Sequence, residues 1–281
     1  MSAKSLARQI SNGFFVGFCW FVTAIALVAL TAILWSLASQ GAAGINVDLF
    51  TMATPATGSR GGLFNSIMGT IFVCVVGMLI ATTVGVLAGT WLSEYAGDSR
   101  YGAAVRFLND VLLSAPSILI GVFVWGVLVK PFHSYSAIAG AVALSIIAVP
   151  IITRTTEDVL RLQPLTLRES GIAVGTPFWT VIRRILWPAA QGGILTGGLL
   201  AFARISGESA PLLFTAFGNP FTSWNPTKPI STLGQVIFEF ANTPYDDLRR
   251  LAWAGALIVT TAVLVVIILA RVVTAGSRRE G

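Results

Sequence analysis

The chain has 281 residues, of which 55% are hydrophobic and 11% charged, with a net charge of +6. Soluble domains carry roughly 25% charged residues, so this composition excludes an ordinary soluble domain and points to an all-α membrane protein. Two cysteines and one histidine are too few for a disulfide scaffold or a zinc cluster.

Six predominantly apolar segments, near residues 14–37, 64–92, 111–129, 135–153, 189–217 and 251–273, are each about as long as the ~20 residues that a helix needs to cross a ~30 Å hydrocarbon layer. Six transmembrane helices in a single domain, residues 1–281, are therefore expected. The first segment follows Lys4 and Arg8 and precedes the small-residue run SLASQGAAG. Its apolar core exceeds the about 7–15 residues of a secretory signal, so it is read as a retained span. Cys19 in the first span and Cys74 in the second are read as packing residues. Gly85 and Gly89 in the second, like Gly193 and Gly197 in the fifth, allow another helix to approach closely. In the third, Ser114-Ala115-Pro116-Ser117 is a polar break. His133 stands alone in a short joint beside Pro131 and has no second ligand nearby. The fourth span ends on Pro150 and Arg154, with Thr153, Thr155 and Thr156 around the arginine.

The joint over residues 154–188 has more local structure. Thr166 and Glu169 have the Thr-x-x-Glu spacing of a capping box, which predicts a helix start. Gly175 can end that helix in the left-handed conformation, with Thr176 capping the next and Pro177 in its first turn. Helix, elbow and helix form a knuckle presenting Ile172, Val174, Phe178, Trp179 and Ile182, which either transmits force or packs beneath the bundle. The segment over residues 218–250 is rich in Pro and Asn (GNPFTSW, NPTKP, NTPYDD) and predicts an irregular cap with one short amphipathic helix near 233–240. Its aromatics Phe221, Trp224 and Tyr245 either seat a partner or mark the lipid interface.

Six spans put both termini on one side. Lys4, Arg8, Arg100, Arg106, Arg154, Arg161, Arg168, Arg183, Arg184, Arg271, Arg278 and Arg279 fall on that side. Only Arg60, Lys130, Lys228, Arg249 and Arg250 fall opposite, so the positive-inside rule makes the termini cytoplasmic. These juxtamembrane charges account for the basic balance without a nucleic-acid partner.

Within the fifth span, LLAFARISGESAPLLFTAF places Arg204 and Glu208 among apolar residues. An uncompensated arginine at a helix centre costs about 2.5–3.5 kcal/mol even on the lenient insertion scale. Counted from Ala189, Arg204 lies about 22 Å along the helix, too deep to snorkel to the cytoplasm. Glu208, four residues on, shares its helical face and can pair with it. A structural ion pair and a cationic site on an anion pathway are both compatible with this spacing; the second is favoured because the guanidinium fork suits oxyanions. Gly207 and Pro211 loosen the backbone just beyond, and irregular helix at membrane depth is tolerated where it lines a cavity. Arg154 is either a second such site or a positive-inside anchor. The sequence contains no HExxH, GxSxG, paired Cys/His set or GxxxxGK[ST], so no catalytic residue, metal site or nucleotide loop is expected in this chain.

The segment ESGIAVGTPFWTVIRRILWP resembles the EAA loop of ABC-importer permeases: Glu169, Gly175, Ile185 and Pro188 match at the family's spacing. Ser170 and Gly171 replace the two alanines, and Trp187 replaces the leucine. The stretches RFLNDVLLSAPSILIGVFVW, VPIITRTTEDVLRLQPLTLRESGIAVGTP and LLAFARISGESAPLLFTAF together resemble the PstA-type permeases of phosphate importers, over about residues 61–271. The resemblance implies a MetI-like bundle in a bacterial inner membrane, with a coupling helix that docks on a cytoplasmic ATPase through Glu169, Gly171, Gly175, Thr176, Pro177, Phe178, Ile185 and Pro188. It implies a PstC-like partner permease, two PstB-like ATPase subunits that supply the ATP and magnesium site, and an external PstS-like phosphate-binding protein. It also implies that Arg204, Glu208 and Arg154 lie on the phosphate pathway. Permeases for sulfate or molybdate, and a gradient-driven anion carrier, are the alternatives that the residues leave open.

Overall fold

The computed structural model describes residues 3–277, which fold into helices joined by short irregular segments. Arg278 and Arg279 lie outside the described residues, as does the side chain of Lys4. The long helix α1 (Ala3–Ala42) leads into a short α2 (Val47–Thr51), and α3 (Phe64–Trp91) runs on through a π-helical turn, Leu92–Ala96. Helices α4 (Arg100–Ser114) and α5 (Ser117–Val124) follow; a second π-helical turn, Trp125–Val129, then joins α5 to α6 (Lys130–Phe132). The central helix is α7 (Ala137–Arg161). Next come α8 (Leu165–Ala173), α9 (Phe178–Val181), a third π-helical turn (Ile182–Leu186) and α10 (Trp187–Ser206). Helices α11 (Ala210–Thr215), α12 (Leu233–Ala241) and α13 (Asp246–Ser277) complete the chain.

The bundle is organised around α7, whose best apolar window is 67% buried whereas that of α1 is 0% buried. Small residues make this packing close. A Cβ added at Gly77 would press on the Ala141 carbonyl and Leu144, one at Gly85 on Ile152, and one at Gly89 on Thr153 and Thr156, so α3 lies directly along α7. On a second face, Gly193 meets Val159 and Gly197 meets Thr155, which sets α10 antiparallel to α7. Helices in lipid gain little from apolar burial against one another, and van der Waals contact at such glycine seams is what holds them together. The small-residue spacing of both spans therefore serves packing within the chain. Helix α1 instead touches the bundle near its C-terminal end, where Gly41 packs on Trp253 and Leu257 of α13. Cys74 is buried as expected, but Cys19 on α1 is exposed rather than packed.

Among the described residues five helices are long and apolar enough to cross a membrane, and six if one bent pair counts as a span. That pair corrects the expected third span. Arg100–Ser114 and Ser117–Phe132 meet at 104°, because Pro116 removes a backbone donor and Ala115 turns extended (ψ 135°). Helix α4 is amphipathic and its charges keep it out of the apolar run, so the break at residues 114–117 is a corner between two helices. The fifth span is also corrected: its helix runs unbroken from Phe178 to Ser206, starting eleven residues before the expected 189 and ending before 217. The expected capping box is absent. Pro164 precedes α8 and no side chain caps it, while Glu169 is exposed. Gly175 does take the left-handed conformation (φ +75°), its N–H donating to the Ile172 carbonyl. Pro177 stands just before α9 rather than in its first turn, and Thr176 caps nothing.

Candidate functional site

The continuous helix that starts at Phe178 ends in α10, which carries Arg204 in its last turn, and the break at residues 207–209 follows. The depth of the arginine follows from its neighbours. Ser206 and Glu208 share a small cavity with Thr70 and Cys74 of α3, Leu144 of α7, and Thr232. Cys74 is ten residues into α3 from Phe64, so this cavity lies roughly 15 Å below the helix end, inside the apolar span Phe64–Ala96. Beyond the break, Pro211 of α11 abuts Gly121 of α5, and Leu212 and Ala216 abut Gly140 of α7; α11 climbs within the bundle toward its outer end.

Glu208 is outside the helix, so it does not share a helical face with Arg204 as the spacing implied. The two still approach, with Nε of Arg204 3.9 Å from Oε1 of Glu208, beyond hydrogen-bond distance. The Arg204 side chain is 51% exposed and that of Glu208 17%. The guanidinium makes no hydrogen bond to the protein among the described residues. Its position at the C-terminal end of α10 is electrostatically favourable, because the last carbonyls of a helix carry partial negative charge.

Arg154 lies on an open strip of α7, with its Nε 3.3 Å from Oδ2 of Asp158 and its side chain 47% exposed. Gly197 facing Thr155 and Gly193 facing Val159 place Arg204 level with about residue 148 of α7, roughly 9 Å along the axis from Arg154. Helix α3 covers one flank of the α7–α10 seam through Ile152 and Thr156, and residues Gly198 and Phe202 of α10 also face α3. Both arginine side chains are about half exposed, so the chain leaves an open flank there.

At the far end of α7 the knuckle divides. Ile182 is fully buried with Leu160, Leu186 and Ala190, and Phe178 lies edge-on to Tyr95 with ring centroids 5.5 Å apart. Gly171 is buried against Val181 and Ile185, which locks α8 onto α9 and the π-helical turn that follows it. Ile172, Val174 and Trp179 are exposed, together with Leu162, Leu165, Glu169, Pro177 and Pro188. An apolar patch with one carboxylate thus stands clear of the bundle.

Two acidic residues that the sequence did not single out are buried here. Glu94 accepts from Nε and Nη2 of Arg168 at 2.8 and 2.7 Å, and its side chain is 1% exposed. This hydrogen bond raises the Arg168 pKa further above its usual value, against the effect of burial. Glu157 accepts from Nε of Arg106 at 2.6 Å and pairs with Arg161 at 3.0 Å. The one available signal was an acid at the end of each apolar helix, since a carboxylate there needs a cationic partner.

At the other end the segment after α11 dips back into the bundle. A Cβ at Gly69 would overlap the Ser231 carbonyl, and Oγ of Ser66 lies 2.8 Å from Oγ of Ser231. Gln235 donates to the Leu212 carbonyl at 2.7 Å, and the Leu233 N–H donates to Thr70 at 2.8 Å. The expected short helix is α12. Phe217, left-handed at φ +61°, stacks on Tyr135, whereas Phe221 and Trp224 are exposed. No group of three or more potential metal-ligating side chains occurs among the described residues.

Residues 81–279 match the family described as binding-protein-dependent transport system inner membrane component. The chain is 47% identical over 257 residues to the phosphate transport system permease protein PstA of Haemophilus influenzae, covering 92% of this chain and 91% of that one. It is 44% identical to the protein of the same name from Pasteurella multocida, covering 94% and 95%. A probable phosphate transport system permease protein PstA of Methanocaldococcus jannaschii is 33% identical, covering 93% and 92%. A solved structure of the MetNI methionine ABC transporter in an inward-facing conformation superimposes with a TM-score of 0.58 at 20% identity, covering 76% of this chain and 94% of that one; the two share a fold.

Proposed function

The chain belongs to the family of binding-protein-dependent transport system inner membrane components, and on that premise we propose that it is the permease subunit of an ATP-driven phosphate importer. The observation that carries the substrate is the 47% identity, over nine-tenths of the chain, to a phosphate transport permease. The chain forms half of a translocation pathway. A second, PstC-like permease faces the open flank of α7 and α10 and completes it. An external PstS-like protein delivers phosphate to the end of the bundle where Phe221 and Trp224 are exposed. Two PstB-like ATPases bind ATP and magnesium, which this chain does not, and one of them docks on the apolar patch of α8 and α9. The arginine bias supports a cytoplasmic position for that patch and for both termini, in a bacterial inner membrane.

In this reading Arg204 offers a passing counter-charge to the anion. The 3.9 Å contact with Glu208 keeps the guanidinium tolerable inside the span and leaves its donors free to turn toward phosphate. Glu208 also limits how tightly the anion is held, which a transport site needs in order to release it. Arg154, held by Asp158 about 9 Å nearer the cytoplasm, provides the next cation.

The test is reconstitution of the complex that co-purifies with this chain. Uptake of phosphate that requires ATP and the external binding protein is expected, with phosphate stimulating ATP hydrolysis. Uptake that survives ATP depletion in gradient-loaded vesicles, or that prefers sulfate or molybdate, would overturn it.

A further inference from the structure

We propose that Glu94 and Arg168 are positioning residues for transport, forming a clamp through which the coupling helix α8 moves the bundle. This rests on the reading of the chain as an ATP-driven permease and assigns that reading a transmission element. Helix α8 is nine residues long and stands under the bundle; an ATPase pushing on its exposed face has to move α3, α4 and α7 through whatever joins them. Gly171 and Leu167 supply apolar contact, and apolar contact can slide. Arg168 supplies directional bonds. Its Nε and Nη2 hold both oxygens of Glu94, Nη1 donates to the Gln163 carbonyl at 2.8 Å, and Nη2 also donates to the Leu160 carbonyl at 2.8 Å. One guanidinium thus fixes α8 to the end of α7 and to the π-helical turn Leu92–Ala96.

The same turn is gripped from its other side. Nη2 of Arg106 donates to the carbonyls of Leu92 and Gly97, both at 3.0 Å, while its Nε holds Glu157 of α7. A π-helical turn leaves carbonyls out of the regular ladder, and here an arginine from α4 takes the flanking pair. From α4 the chain turns the 104° corner into α5, and Asn109 ties α4 to the Pro150 carbonyl, one turn above Arg154. A continuous set of charge-assisted bonds therefore leads from the docking patch through the turn to the helix that carries a pathway arginine. Buried ion pairs are poor stabilisers compared with apolar packing of the same shape, so stability alone is a weak reason for two of them at this joint. A bidentate pair fixes angle as well as distance, which transmission requires.

The intact complex is reconstituted with Glu94→Gln, with Arg168→Lys, and with the exchanged pair Glu94→Arg plus Arg168→Glu. Phosphate uptake and ATP hydrolysis are read on the same vesicles. For Glu94→Gln the expected result is an assembled complex with hydrolysis within about two-fold of wild type and phosphate moved per ATP lowered about five-fold or more. Arg168→Lys, which keeps the charge and loses the fork, falls between, and the exchanged pair recovers at least about half of the ratio. An unchanged ratio, a proportional loss of uptake and hydrolysis, or failure of every variant to assemble overturns the clamp. A second readout is independent of the transported ion: spin labels at Val174→Cys and Leu108→Cys, with Cys19 and Cys74 replaced, give a narrow distance distribution that Glu94→Gln broadens. Equal widths also overturn it. A wild-type complex that moves no phosphate under ATP counts against the permease reading instead.

Discussion

Arg204 and Glu208 are close enough to feel one another and too far apart to satisfy one another. At 3.9 Å, with half of the arginine exposed, the pair is a loose electrostatic contact whose cation can exchange partners. Glu208→Gln removes the competing anion, so phosphate should dwell longer on Arg204. The predicted outcome is a KM for uptake lowered about three-fold or more together with a lower maximal rate, in a complex of normal composition. Loss of assembly would make the pair structural. The arginine was legible in the sequence because a guanidinium in an apolar run is costly wherever the helix begins. Its surroundings were not. Glu208 is near Arg204 because the helix ends between them, and the depth of the site comes from Cys74 and Leu144, which belong to other spans.

At the scale of the element, turns are what connect chemistry to motion. Gly175 holds a left-handed conformation at φ +75°, with no side chain within 4 Å of the Cβ it lacks. Gly175→Val therefore clashes with nothing and acts through the backbone, costing roughly 1–2 kcal/mol and more for a β-branched residue. Weaker retention of the ATPase on the purified permease is expected; unchanged co-purification would show that the elbow is not part of the docking surface. Gly175 and α12 were readable because breaker residues act locally. The 104° corner and the three π-helical turns were not, since residues 111–129 form an uninterrupted apolar run apart from one Ser-Ala-Pro-Ser, and a π-helical turn has no composition of its own. The capping box failed for a related reason: Pro164 had already set the entry into α8, leaving the side chain of Glu169 in solvent.

Over the whole molecule, α7 is the most buried of the candidate spans among the described residues, and the chain leaves several faces uncovered. Helix α1 is unburied along its apolar window, and the flank of α7 and α10 bearing Arg154 and Arg204 is open. Composition and span length were enough to foresee a helical membrane bundle of this class, because both are fixed by the thickness of the bilayer. Which helices touch was not, because glycine seams determine it by steric fit between spans distant in sequence. Gly89→Ala tests that fit: its Cβ would overlap the Thr153 carbonyl of α7, so a loss of about 1–3 kcal/mol is expected, read as a lower melting temperature of the purified complex.

The central claim is that a guanidinium inside the span serves the passage of an anion. The most direct measurement is ATP-driven phosphate uptake by complexes carrying Arg204→Gln, with subunit content and ATPase retention matched to wild type. A fall of about ten-fold or more is predicted, equivalent to about 1.4 kcal/mol of lost stabilisation on the pathway. Uptake within about two-fold of wild type would contradict it.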